Sequence, residues 1–199
     1  AKAGLKYDPK AANKLLDDAG WKKGSDGIRE KDGVKLSVTY PIFSDDPTQA
    51  ALAQSFQKME KEVGIDLKID VRPSNKFSAD YSSKNWDVVG LRFTSSDPYG
   101  VGDMFQVYGA DQGLNESGVW SDETDAEIHE IEKIGDGDKQ IAAAMKLEPK
   151  LLAGWGLITM YNGPSISAAK KGLANLTPEP YVGLDGFGIQ PVENVGWEK

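Results

Sequence analysis

The sequence predicts an α/β fold, a mixed β-sheet flanked by helices, and three observations carry that expectation. Amphipathic helical stretches alternate with short strand-like runs along most of the chain. The first helix carries its own start and stop signals. Hydrophobic residues make up 39% and charged residues 27% of 199 residues, as in an ordinary globular sequence.

Tyr7-Asp8-Pro9-Lys10-Ala11-Ala12-Asn13-Lys14-Leu15-Leu16-Asp17-Asp18-Ala19-Gly20-Trp21 reads as one complete helix. Asp8 is placed to cap the first free amides, and Pro9 fills the first helical position, where no N–H is needed. Ala11, Ala12, Leu15, Leu16 and Ala19 share one face, and Gly20 suits a left-handed residue after the last turn. A hairpin follows, with Asp32-Gly33 as its tight-turn pair and Val34, Leu36 and Val38 alternating beyond it. Pro47 opens a helix to about Val63 with Leu52, Phe56 and Met59 inward, stopped by Gly64. Residues 65–71 alternate as a strand, 77–82 as a short helix and 86–93 as a third strand. Residues 122–134 and 138–153 are amphipathic helices, and 157–161 a further strand. From Tyr161-Asn162-Gly163-Pro164 onward Gly and Pro become frequent and periodicity fades.

Composition excludes several classes of function. The formal charge of −8 argues against nucleic acid, whose phosphates need a basic face, so no nucleic-acid partner is expected. It equally disfavours an anionic membrane surface. There is no cysteine, hence no disulfide, thiol nucleophile or Cys-based metal site. No apolar run approaches the ~20 residues of a membrane-spanning helix. The chain begins Ala1-Lys2-Ala3-Gly4, without Met or a signal peptide, and is expected to be a piece of a longer polypeptide.

The chemistry-bearing patterns mostly fail on inspection. His129, the only histidine, sits in an acidic amphipathic stretch and reads as a solvated helix residue; a zinc pair needs a second one. Asp136-Gly137-Asp138 suggests a calcium loop, but Ile141 and Leu147 stand where a glycine and an acid are needed. Gly100-Val101-Gly102 lacks the third glycine of a dinucleotide loop, and there is no GxSxG elbow. No metal, cofactor or catalytic residue is expected. Paired acids such as Asp17-Asp18 and Asp45-Asp46 read as solvated surface. Leu91-Arg92-Phe93-Thr94-Ser95-Ser96-Asp97 differs in kind. It follows a buried-type strand and offers an arginine, an aromatic and hydroxyls, the mixture that orients a polar small molecule.

The opening phrase, as a whole, resembles the Y-D-P-x-x-A-x-x-L-L-x-x-A-G-W phrase of the peptide/nickel class of ABC-importer solute-binding proteins, extracellular family 5. Further landmarks follow in the family's order. Lys84-Asn85-Trp86-Asp87-Val88 resembles the start of the strand that leads to the ligand, and Ser96-Asp97-Pro98 the acid-proline pair closing the loop after it. Asn115-Glu116-Ser117-Gly118-Val119-Trp120-Ser121-Asp122 with Asp125 resembles the run before a helix. Leu157-Ile158-Thr159-Met160-Tyr161-Asn162 resembles the i-P-L-Y strand, with Lys171-Gly172-Leu173 beyond.

The resemblance implies a periplasmic-binding-protein-like lobe: residues 1–164 as a carboxy-terminal ligand-binding lobe, and 165–199 as an irregular extension returning to an amino-terminal lobe outside this chain. It implies a substrate-capture component of an ABC importer, not an enzyme, that closes on a hinge around a peptide-like or other small polar solute. Its partners would be that solute, an ABC permease and the other lobe. It would work outside the cytoplasmic membrane, in the periplasm or at the cell surface, with any lipid-bearing cysteine upstream. The site would be lined by Leu91, Arg92, Phe93, Thr94 and Ser95, with Tyr161 and Asn162. Peptide-binding members carry a carboxylate four residues before the proline, facing the peptide's α-ammonium; gapless counting from Pro98 puts Thr94 there. A hydrolase domain of the same architecture and a receptor module reusing the lobe are the readings from other classes.

Overall fold

Asp46 and Gly64 bracket the helix around which the amino-terminal half is built, and the rest of that half is arranged by where this helix can bury its apolar face. In the computed structural model, residues 6–91, 101–110, 112–160, 170–175 and 195–197 are described. The chain divides into two units, Leu5–Arg92 and Phe93–Lys199 with Ala1–Gly4.

In the first unit, helix α1 (Pro9–Asp18) starts where Asp8 accepts the amides of Lys10 and Ala11. Strands β1 (Lys22–Lys23), β2 (Arg29–Lys31) and β3 (Val34–Lys35) form a small antiparallel meander. Lys31 pairs with Val34 across the Asp32-Gly33 turn, whose residues have φ of 52° and 78°. Positive φ at both positions is what a primed two-residue hairpin requires. Strand β4 (Ser37–Ile42) then lies parallel to β5 (Asp66–Val71), joined through helix α2 (Pro47–Val63) as a βαβ crossover. Tyr40, Ile42, Ala53 and Leu67 form the buried centre, with Val38, Phe56 and Ile69 packed on it. A 3-10 turn (Ser74–Lys76) leads into helix α3 (Phe77–Ser82).

Arg29 ties this unit together. Its side chain is 2% exposed. It donates to Val63 O at 2.7 Å, Asp17 Oδ1 and Trp21 O at 2.5 Å each, and Asn13 Oδ1 at 2.7 Å. One guanidinium thus links α1, β2 and the last turn of α2. A buried guanidinium is tolerated only when its donors are satisfied in this way.

The second unit is helical. Helix α4 (Val101–Tyr108), α5 (Asp122–Glu132) and α6 (Gly137–Leu152) bury Val101, Tyr108, Ile128, Ile131, Leu147, Leu151 and Leu152 among one another. Each large aliphatic side chain so buried contributes roughly 1.5–3 kcal/mol. Ser121 and Thr124 form a reciprocal capping box at the start of α5, and Asp136 caps α6. A short antiparallel pair joins β6 (Leu173–Ala174) to β7 (Gly196–Trp197), so part of the Gly/Pro-rich region is paired.

The α/β expectation holds, and two strand expectations do not. Residues 86–91 of the expected strand 86–93 are not a strand. Trp86 instead stacks on Tyr81 at 5.8 Å, and the Asp87 carboxylate takes the Thr39 amide that a neighbouring strand's backbone would have used. Residues 157–160 are irregular, with Ile158 69% exposed, and they join no ladder among the described residues. Helix α4 is not among the expected elements, although Val101, Phe105 and Tyr108 have helical spacing. The expected boundary at 164/165 and the remaining parts of both strands lie outside the described residues.

Candidate functional site

In an open sheet with parallel strands, a ligand approaches the carboxyl ends of the strands. Here those ends are Ile42 and Val71, and the chain that leaves α3 meets Arg72, just beyond Val71, and then Thr39 in the middle of β4. The amides of Asp87 and Val88 both donate to Thr39 O, at 3.2 and 3.1 Å, while Asp87 Oδ2 accepts from the Thr39 amide at 2.7 Å. Two residues on, Gly90 lies so close to the Tyr40 ring that a Cβ there would stand 2.5 Å from the phenol oxygen. A side chain at this crossing would force the buried Tyr40 ring to shift. Burial pushes the Tyr40 phenol above its ordinary pKa.

An arginine organises the same edge. Arg72 continues the ladder, its amide donating to Ile42 O at 2.9 Å. Its side chain then gathers three neighbours: Nε donates to Asp70 Oδ2 at 2.8 Å, and Nη1 to Asp80 Oδ2 at 3.0 Å and to Asn85 O at 2.7 Å. The guanidinium also sits 5.9 Å from the centre of the Phe43 ring. Bonding to Asp70, then to Asp80, holds the Arg72 pKa above its ordinary value. Phe43, Phe77, Tyr81 and Trp86 continue as a chain of ring contacts. A surface hollow of about 560 Å³ lies elsewhere in this unit, between α2 and the amino-terminal end of β5, rimmed by Lys58, Lys61 and Asp26.

Of the residues expected to line the site, Leu91 is half-buried at the end of this anchored stretch. Arg92, Phe93, Thr94, Ser95, Tyr161 and Asn162 lie outside the described residues. Sequence reasoning passes over Arg72, whose partners are scattered from Asp70 to Asn85 in no recognisable motif. Asp17 is exposed, as expected of solvated surface, and in addition bonds the buried Arg29, which the sequence does not signal.

In the helical unit the 115–125 run is a hydrogen-bonded scaffold. Asn115 Nδ2 donates to Gly109 O, Ser117 Oγ to Asn115 Oδ1, and the Ala110 amide to Asp125 Oδ1 at 2.7 Å. Gly154 and Gly156 pack on Val119 so tightly that a Cβ at either would overlap its methyls. His129 is solvent-exposed on α5, with Nδ1 3.0 Å from Glu132 Oε2 and its ring against Phe105. Among the described residues, no group of three His, Cys, Asp or Glu is placed to hold a metal ion. No described helix is long and apolar enough to cross a membrane.

With this geometry in hand, comparison with known proteins gives a consistent answer. Residues 1–115 match the sequence model of the bacterial extracellular solute-binding proteins, family 5 middle region. Over 138 residues the chain is 29% identical to the oligopeptide-binding protein AppA of Bacillus subtilis, covering 66% of this chain and 25% of that one. Its fold is similar to NikZ of Campylobacter jejuni, solved in complex with Ni(L-His), with 28% identity and a TM-score of 0.60 over 75% of this chain and 30% of that one. A mannohexaose-bound periplasmic oligopeptide-binding protein from Thermotoga maritima shares the fold with a TM-score of 0.72 at 24% identity, over 87% of this chain and 34% of that one. The chain thus spans about a quarter to a third of the length of these proteins. A match over more than half of its residues, on a periplasmic-binding-protein fold, establishes that the chain belongs to family 5 of the bacterial extracellular solute-binding proteins.

Proposed function

We propose that the chain is the carboxy-terminal lobe of the substrate-capture component of an ABC importer, working outside the cytoplasmic membrane. Residues 1–164 form the lobe, and 165–199 return to an amino-terminal lobe carried elsewhere in the polypeptide. The protein binds a peptide-like or other small polar solute without transforming it and delivers it to an ABC permease. Leu91, Arg92, Phe93, Thr94 and Ser95, with Tyr161 and Asn162, line the solute.

The observation that carries this reading is the anchored crossing at Thr39 and Tyr40. Two amides on one carbonyl, a side chain returned to the same residue, and a glycine against a phenol tie residues 87–90 to β4. An anchored approach ending in polar and aromatic side chains is the architecture of a preformed binding site. The relatives support a broad solute class: one is named for oligopeptides and another was solved with Ni(L-His).

The test is a thermal-shift screen of the full-length protein against free and amino-acetylated oligopeptides, manno-oligosaccharides and Ni(II)-histidine. A ligand held at 100 times its Kd stabilises the native state by ~2.7 kcal/mol, so one class is expected to raise Tm clearly. Cleavage of any of these compounds by the purified protein would overturn the non-enzymatic reading.

A further inference from the structure

We propose that the outer edge of β5 is a self-association surface, on which a second copy of this chain pairs antiparallel, β5 against β5, about a two-fold axis at Ile69. The two edges of the β4–β5 pair differ. The β4 edge is occupied, since Thr39 exchanges bonds with Asp87 and Val88. On β5 the amides of Asp66 and Arg72 donate to Leu36 O and Ile42 O at 2.9 Å each. The even-numbered residues from 66 to 72 therefore turn their backbone groups to β4, and Leu67, Ile69 and Val71 turn theirs outward. Leu67 O accepts from Gln57 Nε2 at 2.8 Å. The amides of Leu67, Ile69 and Val71 and the carbonyls of Ile69 and Val71 have no partner among the described residues.

A row of unpaired backbone groups is a template for another strand. The side chains decide which one. Asp66, Lys68, Asp70 and Arg72 share one face of β5 and alternate in sign, and the first three have side chains 43%, 64% and 47% exposed. Antiparallel pairing about Ile69 sets Lys68 opposite the partner's Asp70 and Asp70 opposite the partner's Lys68. Asp66 and Arg72 are matched in the same way outside them. These are the non-hydrogen-bonded positions of the new ladder, where facing side chains come closest. A slip of two residues either way brings Asp66 against Asp70 or Lys68 against Arg72, and parallel pairing in register sets like on like. The charges thus select one orientation and one register. On the other face the same register sets Val71 against the partner's Leu67. Val71 is 63% exposed, while Leu67, with Ile28 and Ile65, lines the hollow of about 560 Å³ beside α2. An exposed valine is thereby brought to the apolar wall of an open hollow, once in each direction. Two-fold symmetry repeats every contact, and the patch is small, so the pairing is reversible. It does not depend on which residues line the solute.

The experiment is sedimentation of the full-length protein from about 1 to about 500 µM, where a monomer–dimer equilibrium is expected. Lys68→Glu and Asp70→Lys each set like charges together at both symmetric positions, and each is expected to raise the dimer Kd about tenfold. Mixing the two variants restores opposite signs at both central pairs, so the mixture is expected to dimerise as wild type does. Ile69→Pro removes the central outward N–H without touching the ladder to β4, and is expected to be monomeric. In wild type, amide exchange at Ile69 and Val71 is expected to slow as concentration rises. Asp70→Lys also gives up the bond to Arg72 Nε. If circular dichroism shows it unfolded, Lys68→Glu and Ile69→Pro carry the decision. A wild type that stays monomeric overturns the proposal. So does a dimer that neither Lys68→Glu nor Ile69→Pro weakens, or a mixture of two folded variants that stays monomeric. Protection of Ile69 and Val71 that is independent of concentration also overturns it, and assigns the edge to a strand of the same polypeptide.

Discussion

Tyr108 closes the packed face of α4, 8% exposed, and its phenol pKa is pushed up to about 12 by burial first and by the nearby Glu148 carboxylate second. In the unfolded chain the same phenol titrates near 10. The folded state therefore holds the proton more tightly, and the stability gained is fully present below pH ~10. It is lost as pH rises from there toward 12, at roughly 1.4 kcal/mol per pH unit for one proton. Melting temperatures of the full-length protein and of Tyr108→Phe, measured from pH 9 to 11, are expected to diverge: wild type falls faster with pH. Parallel slopes would remove Tyr108 from the account. Neither this phenol nor Arg29 stands out in the sequence. An arginine among exposed lysines gives no hint of burial, and its partners Asn13, Asp17, Trp21 and Val63 come together only when α1, β2 and α2 pack.

Helix ends are decided within a few residues, and so they are the most legible elements. Asp8, Pro9, Pro47 and Gly64 punctuate α1 and α2 through local hydrogen bonds and backbone preference. The Asp32-Gly33 turn is legible for the same reason. A strand is completed by a partner, and residues 86–91 have strand-like composition while their would-be partner, Thr39, is occupied by the Asp87 side chain. The candidate site is legible only as a sequence of landmarks, because the Thr39 contacts of Asp87 are long-range and the nearer partners of Arg72 follow no motif. Gly64 offers a test of how local and distant constraints combine. Its φ is 93°, and a Cβ would stand 2.8 Å from Arg29 Cγ and 3.1 Å from Gly27 O. The left-handed conformation costs an alanine about 1–2 kcal/mol, and overpacking against a pinned arginine about 1–3 more. Gly64→Ala is expected to lower the unfolding free energy by about 2–5 kcal/mol in urea, while Gly113→Ala, in open space, stays within about 0.5. A loss of only about 1–2 kcal/mol at Gly64, the backbone cost alone, would mean that Arg29 yields easily.

On the scale of the whole protein, the question is which solutes a site with Thr94 prefers. If the proposed lining is right, Thr94 occupies the position where peptide-binding members of the family carry a carboxylate toward the α-ammonium. A charge-assisted hydrogen bond in a closed, low-dielectric cleft is worth roughly 1.5–3 kcal/mol, and a threonine hydroxyl supplies only a neutral one. Losing that difference weakens peptides with a free amino terminus by roughly ten- to a hundredfold, at about 1.4 kcal/mol per decade. The chain's net charge of −8 does not compensate, since exposed charges beyond ~10 Å are screened at physiological salt. Asp97 and Asp103 are the acids close enough in sequence to substitute, and Asp97, followed by Pro98, is suited to closing a turn. The solute is therefore expected to be uncharged or modified at the end that meets this position. The comparison that decides it uses the full-length protein with a bound peptide and its amino-acetylated form. Equal Kd values, or a preference for the acetylated form, are expected, and Thr94→Asp should then favour the free amine by about tenfold. If acetylation abolishes binding to the wild type, and Asp97→Asn does the same, the acid anchor is Asp97 and the site selects free peptides after all.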